Sequence, residues 1–407
     1  MGIDIAYNGS SIQLPIPPRV TVDHFSPAST GQTCDFDQFA AAFAGSGGHD
    51  FLSGKTPLIV VNDAYRETPT AVILAWLNRL DGQLLDRASI LVATGTHQSP
   101  TYRQYEQILG EFLPPVEDRL SAHDAGDYSS MVKLGVDNLG GDILLNRAIV
   151  EHERLLVIGS VEPHYFAGFT GGRKSIFPGL TDLATIERNH NLANSLEAAP
   201  LRLSGNPVAE HLQSLMSTLD PEKFFGIQVV RDAESPVAAV FCGRLDIAFA
   251  EAAQRAEAVF ARRVTKPYNI VICEVLPPLD ENLYQVQKAL ENCQHAVRDG
   301  GLIILVSCCR EGIGSPYFFD LAAQWDTDKN AAFDGQLHFG SHKLSRVNAI
   351  GRRIRVCLHS GLPDEVVRRV FYEPLDIVKE LLYIDECVGP DLRIAVACDA
   401  GNIVLSE

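Results

Sequence analysis

Along the first half of the chain, short apolar and β-branched runs alternate with stretches whose apolar positions recur every three to four residues. Residues 58–61 and 90–93 are predicted strands, and residues 70–80 between them a helix. Residues 155–158 read as a further buried strand, and Asp182 opens a helix reaching about residue 193. The long loop between these two holds Gly168, Gly171, Gly172 and Gly179, with Gly159 just ahead of it. A simple connection does not need so many glycines, and long ordered loops in compact domains tend to carry function.

Near residue 264 the pattern restarts. Residues 270–275 read as a strand, 284–297 as a helix stopped by Gly300-Gly301, and 302–306 as a second strand, a complete βαβ unit. The alternation predicts an α/β fold with a boundary near residues 262–268. The expected domains are residues 1–264 as an N-terminal α/β domain and 265–390 as a C-terminal α/β domain. A terminal strand segment, 391–407, can belong to either and is assigned a return to the first. The length of 407 residues, with 46% hydrophobic and 21% charged side chains, suits two such domains and excludes a disordered chain.

The balance of 34 basic against 51 acidic residues gives a net charge of −17, which repels phosphate backbones and anionic lipid. Nucleic acid and membrane partners are therefore not expected, and an anionic substrate needs a locally basic site. Nine cysteines lie scattered without a CxxC pair, which points to reduced thiols of a cytoplasmic protein. The first residues lack a basic region followed by an apolar stretch, and no run of about 18 apolar residues exists to span a bilayer.

In open α/β sheets ligands collect at the carboxyl ends of strands, which makes two turns candidate site loops: Asn62-Asp63-Ala-Tyr-Arg66 and Thr94-Gly-Thr-His97. The densest signal is His164-Tyr-Phe-Ala-Gly-Phe-Thr-Gly-Gly-Arg-Lys174-Ser-Ile-Phe-Pro-Gly179. Its paired glycines, Gly171 and Gly172, allow a backbone to approach a flat or phosphorylated ligand. A phosphate loop requires glycine directly before the lysine, and Arg173 stands there instead. Singly, each residue has an ordinary explanation: His97 as a satisfied loop histidine, Asp63 as a turn residue, Lys288 as a solvated helix position.

Together, Asp63-Ala-Tyr-Arg66-Glu-Thr-Pro69, Gly95-Thr-His97, the stretch from His164 to Gly179, Glu187-Arg-Asn-His190 and Tyr284-Gln285-x-x-Lys288 resemble the nickel-dependent lactate racemase family. The resemblance runs in order from about residue 58 to about 315, and its His-x6-Gly-Gly-x-Lys-x3-Pro-Gly stretch is highly specific. It implies two α/β domains with a cofactor and substrate site in the cleft between them. The implied cofactor is a nickel-pincer nucleotide, a pyridinium mononucleotide whose two sulfur-bearing arms hold nickel. Lys174 matches the lysine that tethers it through a thioamide, and His190 matches the fourth nickel ligand. Asp63, Gly171 and Gly172 match the cofactor pocket. His97 and His164 match the acid/base pair, while Arg66, Tyr284, Gln285 and Lys288 match the lining of the substrate pocket.

The implied reaction is racemisation or epimerisation of a lactate-like or malate-like 2-hydroxy acid through a 2-keto acid. Removing Cα hydrogen as hydride avoids a carbanion beside a carboxylate, and a base takes the hydroxyl proton. A free imidazole titrates near ~6.5, so one histidine per enantiomer can act as base in one direction and acid in the other. Arg66 and Lys288 supply cations for the substrate carboxylate, and a nickel already held by sulfur needs only one imidazole. The resemblance also implies proteins of cofactor biosynthesis as partners. Tyr65, Glu67 and Gln98 depart from the family pattern, and Tyr165, Phe166, Arg310 and His342 are further pocket candidates. The alternative in another class is a non-catalytic protein that stores or delivers the cofactor, which has no need for both His97 and His164. A hydrolase using zinc held by three ligands has no HExxH signature to support it.

Overall fold

The computed structural model describes residues 2–16, 20–325, 340–379 and 392–406. The chain divides into two compact units: Met1–Pro27 with Phe260–Glu407, and Ala28–Val259. The first unit begins with an antiparallel hairpin, β1 (Gly2–Tyr7) and β2 (Ser10–Pro15), followed by β3 (Thr21–Phe25).

The second unit is built on β4 (Leu58–Asn62), β5 (Ser89–Ala93), β6 (Leu120–Ala122), β9 (Leu155–Ser160), β12 (Phe224–Val230) and β13 (Ala239–Arg244). They form one sheet in the order β13-β12-β9-β4-β5-β6. Only β13 runs antiparallel to its neighbour. A separate hairpin joins β7 (Met131–Val136) to β8 (Asp142–Asn146), and a short one joins β10 (Pro163–His164) to β11 (Gly168–Phe169).

Helices cover both sheet faces, so the central strands are buried throughout and read as continuous apolar runs. Along β4, Ile59 and Val61 face one cluster with Ile73, Leu74 and Leu77 of the helix Thr70–Leu80. Leu58 and Val60 face another with Leu155, Phe177 and Leu212. Each of these side chains contributes roughly 1.5–3 kcal/mol by leaving water. The helix Leu183–Asn191 starts where Asp182 caps it, accepting the Ala184 amide.

In the first unit, β14 (Ala261–Arg263) pairs with β20 (Val404–Ser406), and the main sheet is all parallel in the order β18-β17-β16-β15-β19-β3. Its members are β15 (Tyr268–Glu274), β16 (Val297–Val306), β17 (Arg355–His359), β18 (Glu373–Pro374), β19 (Arg393–Ala397) and β3.

Three expectations change. An N-terminal domain starting at residue 1 does not form, because β3 pairs in parallel with β19 and thereby joins Met1–Pro27 to the other unit. The terminal strand does not return to the N-terminal domain either, because β19 lies between β15 and β3. The expected break between residues 390 and 391 lies outside the described residues. Finally, Gly300-Gly301 is not a helix stop. The helix ends at Cys293, a 3-10 turn follows, and β16 runs from Val297 through both glycines with a register shift against β15, where the positive φ of Gly300 admits the irregularity. Among the described residues no helix is long and apolar enough to cross a membrane, and no disulfide joins the described cysteines.

Candidate functional site

Three loops at the carboxyl ends of β4, β5 and β9 are bonded to one another. Asn62, the last residue of β4, donates to Ser175 Oγ at 3.2 Å and accepts from Thr68 at 3.0 Å. Thr68 also meets Ser160, at the end of β9, at 2.9 Å. The Gly95 amide donates to Gly179 O at 3.0 Å, tying the turn after β5 to the end of the glycine-rich loop. From β12, Gln228 Oε1 accepts the Gly172 amide at 2.7 Å while its amide nitrogen donates to Val157 O at 3.0 Å. Gln228 escaped the sequence reading, although a glutamine inside the apolar run Phe224–Val230 signals a buried polar role.

Asp63 binds His97 rather than standing open to a ligand. Its Oδ2 lies 2.6 Å from His97 Nδ1, and Oδ1 accepts the Tyr65 amide at 3.2 Å. A carboxylate acceptor requires a proton on Nδ1, so the neutral His97 ring has a lone pair on Nε2. The Tyr65 ring packs on His97 with centroids 4.7 Å apart.

His164 is set the opposite way. Its Nδ1 accepts the Ala167 amide at 3.2 Å, so a neutral ring carries its proton on Nε2. Only 6% of the residue is exposed, and its ring lies 4.5 Å from that of Phe166. The Phe166 ring also meets His190, in the last turn of the helix Leu183–Asn191, at 5.0 Å, and Lys174 Nζ stands 5.7 Å from its centroid. Phe166 therefore gathers two residues of its own loop, His164 and Lys174, with His190 of the following helix.

The loop is strongly basic inside. Burial first, then the charges of Arg66 and Arg173, pull the Lys174 ammonium down to about 7. Burial alone pulls Arg173 down to about 10, and its guanidinium lies over the Phe249 ring at 4.7 Å. An amine titrating near neutrality is a competent nucleophile. Gly171 and Gly172 have φ of 71° and 51°, which favours glycine, and added Cβ atoms would collide with Ser160 O and with the Phe249 ring. The protein's own packing thus requires both glycines, whatever ligand approaches.

The loop leaves polar atoms that a bound polar group would satisfy. Glu162 Oε1 and Arg173 Nε are buried in this loop without a hydrogen-bond partner among the described residues, an acceptor and a donor left over. No group of three or more His, Cys, Asp or Glu that could hold a metal occurs among the described residues. A metal at His190 therefore relies on donors from the bound group.

In the other unit, Asn282 caps the helix Leu283–Cys293, which carries Tyr284, buried Gln285 and part-buried Lys288. Lys343, unanticipated from sequence, donates to Tyr284 O at 2.9 Å and lies 3.9 Å from the Tyr284 ring centroid. Burial pulls its ammonium down to about 7. His342 is buried, while Arg310 is half exposed and pairs with Asp280 at 3.4 Å.

Comparison with known proteins identifies the class. Residues 7–199 match the family model of the lactate racemase N-terminal domain, and residues 265–339 match that of the lactate racemase C-terminal domain. The chain is 31% identical over 377 residues to the lactate racemase of Thermoanaerobacterium thermosaccharolyticum, spanning 88% of this chain and 86% of that protein. It is 29% identical over 354 residues to the lactate racemase of Lactiplantibacillus plantarum, spanning 84% and 77%. The solved structure of the lactate racemase apoprotein from T. thermosaccharolyticum has the same fold, with a TM-score of 0.85 at 24% identity over 100% of both chains. A crystal structure of a Thermotoga maritima protein gives 0.73 at 16% identity over 93% and 99%. The class so defined is a two-domain α/β isomerase, a racemase. The chain belongs to the lactate racemase family.

Proposed function

We propose that this chain interconverts the enantiomers of a lactate-like or malate-like 2-hydroxy acid, using a nickel-pincer nucleotide tethered to Lys174 and ligated by His190. The observation that carries the reading is the meeting of His164, Lys174 and His190 on the single ring of Phe166. When bound, the nucleotide supplies reversible acceptance of the substrate's Cα hydride, with a planar 2-keto acid between the two hands.

The chain's own residues manage protons and charge. His97, held by Asp63, offers the Nε2 lone pair as a base for the hydroxyl proton of one enantiomer. His164, once protonated to the imidazolium, can return a proton to the keto oxygen on the other side and go back to its neutral ring. For the reverse reaction the two exchange roles. Arg66 supplies a cation for the substrate carboxylate, Asp63 acts through His97, and Tyr284, Gln285 and Lys288 are the substrate-binding candidates of the other unit. The burial and neighbouring charges that pull the Lys174 ammonium down to about 7 leave part of it as free amine near neutrality, the form that can take up the covalent link.

The test is intact mass with metal analysis on protein produced beside the cofactor-making proteins, compared with Lys174→Ala. An adduct with about one nickel per chain, absent from the variant, is expected, with racemisation in chiral assays on a panel of 2-hydroxy acids. Bare protein from a host that charges a known lactate racemase overturns the reading.

A further inference from the structure

Of the motif Glu187-Arg-Asn-His190, the proposed function uses only the last residue. Arg188 and Asn189 are nevertheless committed to specific partners. Arg188 Nε donates to Asp137 Oδ2 at 2.9 Å, and its far end reaches Asp142 O and, at 3.1 Å, Thr185 Oγ1. Asn189, fully buried, donates from Nδ2 to Val208 O at 3.1 Å and meets His211 Nδ1 at 3.1 Å. His211 Nε2 in turn faces Asp137 Oδ2 at 3.5 Å. The four side chains form a cluster in which Arg188–Asp137 and Asn189–His211 are hydrogen-bonded and His211 Nε2 faces Asp137 without a hydrogen bond, and it starts from adjacent residues of one helix.

Asp137 is the hub. Its side chain is fully buried in the turn between β7 and β8, and Oδ1 accepts the Leu139 and Gly141 amides, each at 2.9 Å. Although burial opposes its charge, the Gly141 amide and Arg188 hold the carboxyl below its usual range. Gly141 is glycine for the same reason, since a Cβ there would overlap the Arg188 guanidinium. A buried carboxylate with this many donors is a rigid anchor.

The anchor matters because of where His190 lies. It sits in the last turn of the helix Leu183–Asn191, which tightens at once into a 3-10 turn over Leu192–Asn194, the Leu192 amide donating to the Asn189 and His190 carbonyls. A metal ligand must present its ring within a narrow cone of directions, and groups behind the ligand usually set that cone. Side-chain ties on the two preceding residues, to a β-turn on one side and to the helix Pro207–Met216 on the other, fix the backbone that aims His190. Phe166 then limits the ring from its own side at 5.0 Å.

We propose that Asp137, acting through Arg188 and through His211 and Asn189, is a positioning residue for His190, and that this polar cluster holds the imidazole aimed at the nickel. The inference rests on the reading of His190 as the nickel ligand.

The test is nickel retention by the loaded protein under a chelator, followed by metal analysis and by the absorption spectrum, for Asp137→Asn, Asn189→Ala, His190→Ala and Ile73→Val. Ile73 lies in the core of the same unit away from the site, so its variant controls for lost stability. Asn189→Ala removes an amide without stranding a buried charge, and keeps the inference open to test if Asp137→Asn does not fold. Nickel is expected to leave His190→Ala fastest, and to leave Asp137→Asn and Asn189→Ala about tenfold faster than Ile73→Val, with the covalent adduct mass intact. If His190→Ala loses nickel quickly while the two cluster variants retain it like Ile73→Val, the positioning role is overturned and the ligand assignment stands. If His190→Ala itself retains nickel like the parent, the ligand assignment falls, and this inference with it.

Discussion

The Asp63 carboxylate meets the imidazole of His97 at 2.6 Å and so decides which of its nitrogens can act as a base. His164, whose Nδ1 accepts a backbone amide, is fixed in the complementary tautomer. The two neutral rings therefore differ at Nε2, a lone pair on His97 and an N–H on His164.

Asp63→Asn is expected to lower kcat about a hundredfold or more in loaded enzyme with little change in adduct mass. An amide can accept or donate at Nδ1 and no longer fixes one tautomer, and loss of tautomer control is costly in histidine-dependent catalysis. Steady-state rates from each enantiomer check this, and unaltered kcat contradicts the role.

His97→Ala and His164→Ala are each expected to abolish racemisation while leaving the cofactor bound. Each variant should still form 2-keto acid once, from opposite enantiomers, in rapid-quench single turnovers. Both variants reacting with the same enantiomer contradicts the division of labour.

The depressed Lys174 ammonium makes the apoprotein's stability pH-dependent. With a folded value of about 7 against ~10.4 in the unfolded chain, the unfolded state binds the extra proton between those limits. Stability attributable to this group therefore rises with pH across that window, and it is lost as pH falls through about 7, where the fold must bury a charge. Lys174→Met should accordingly melt above the parent near neutrality, with the advantage shrinking toward pH ~10. A pH-independent difference in Tm refutes it.

Gly172→Ala is expected to destabilise the apoprotein by about 1–3 kcal/mol, because the new Cβ meets the Phe249 ring at a positive φ. Chemical denaturation without cofactor reads this directly. An unchanged midpoint shows that the glycine is kept for a ligand instead.

Much of the second unit could be read from the chain itself. The strand at 58–62, the helix Thr70–Leu80 and the strand at 89–93 appear within a residue or two of expectation, because burial on two sheet faces and helical spacing are local patterns. The loop from His164 to Gly179 was legible for a related reason, since its glycines and charges are adjacent in sequence.

Other features depend on partners that no local pattern names. Thr21–Phe25 joins a sheet through Arg393–Ala397 at the opposite end of the chain, and parallel pairing leaves no hairpin turn to announce it. Gly300-Gly301 resembles a helix stop until its pairing partner shows it to be a strand irregularity. Residue types and their spacing named the candidates, three histidines, a lysine and nearby arginines, and the family resemblance supplied the roles expected of them. Only the tertiary structure decided their states, by placing Asp63 on Nδ1 of His97, the Ala167 amide on Nδ1 of His164, and Arg66 and Arg173 beside a part-buried Lys174. Tautomers and shifted proton affinities arise from contacts between distant segments, through geometry and desolvation that a linear sequence does not contain.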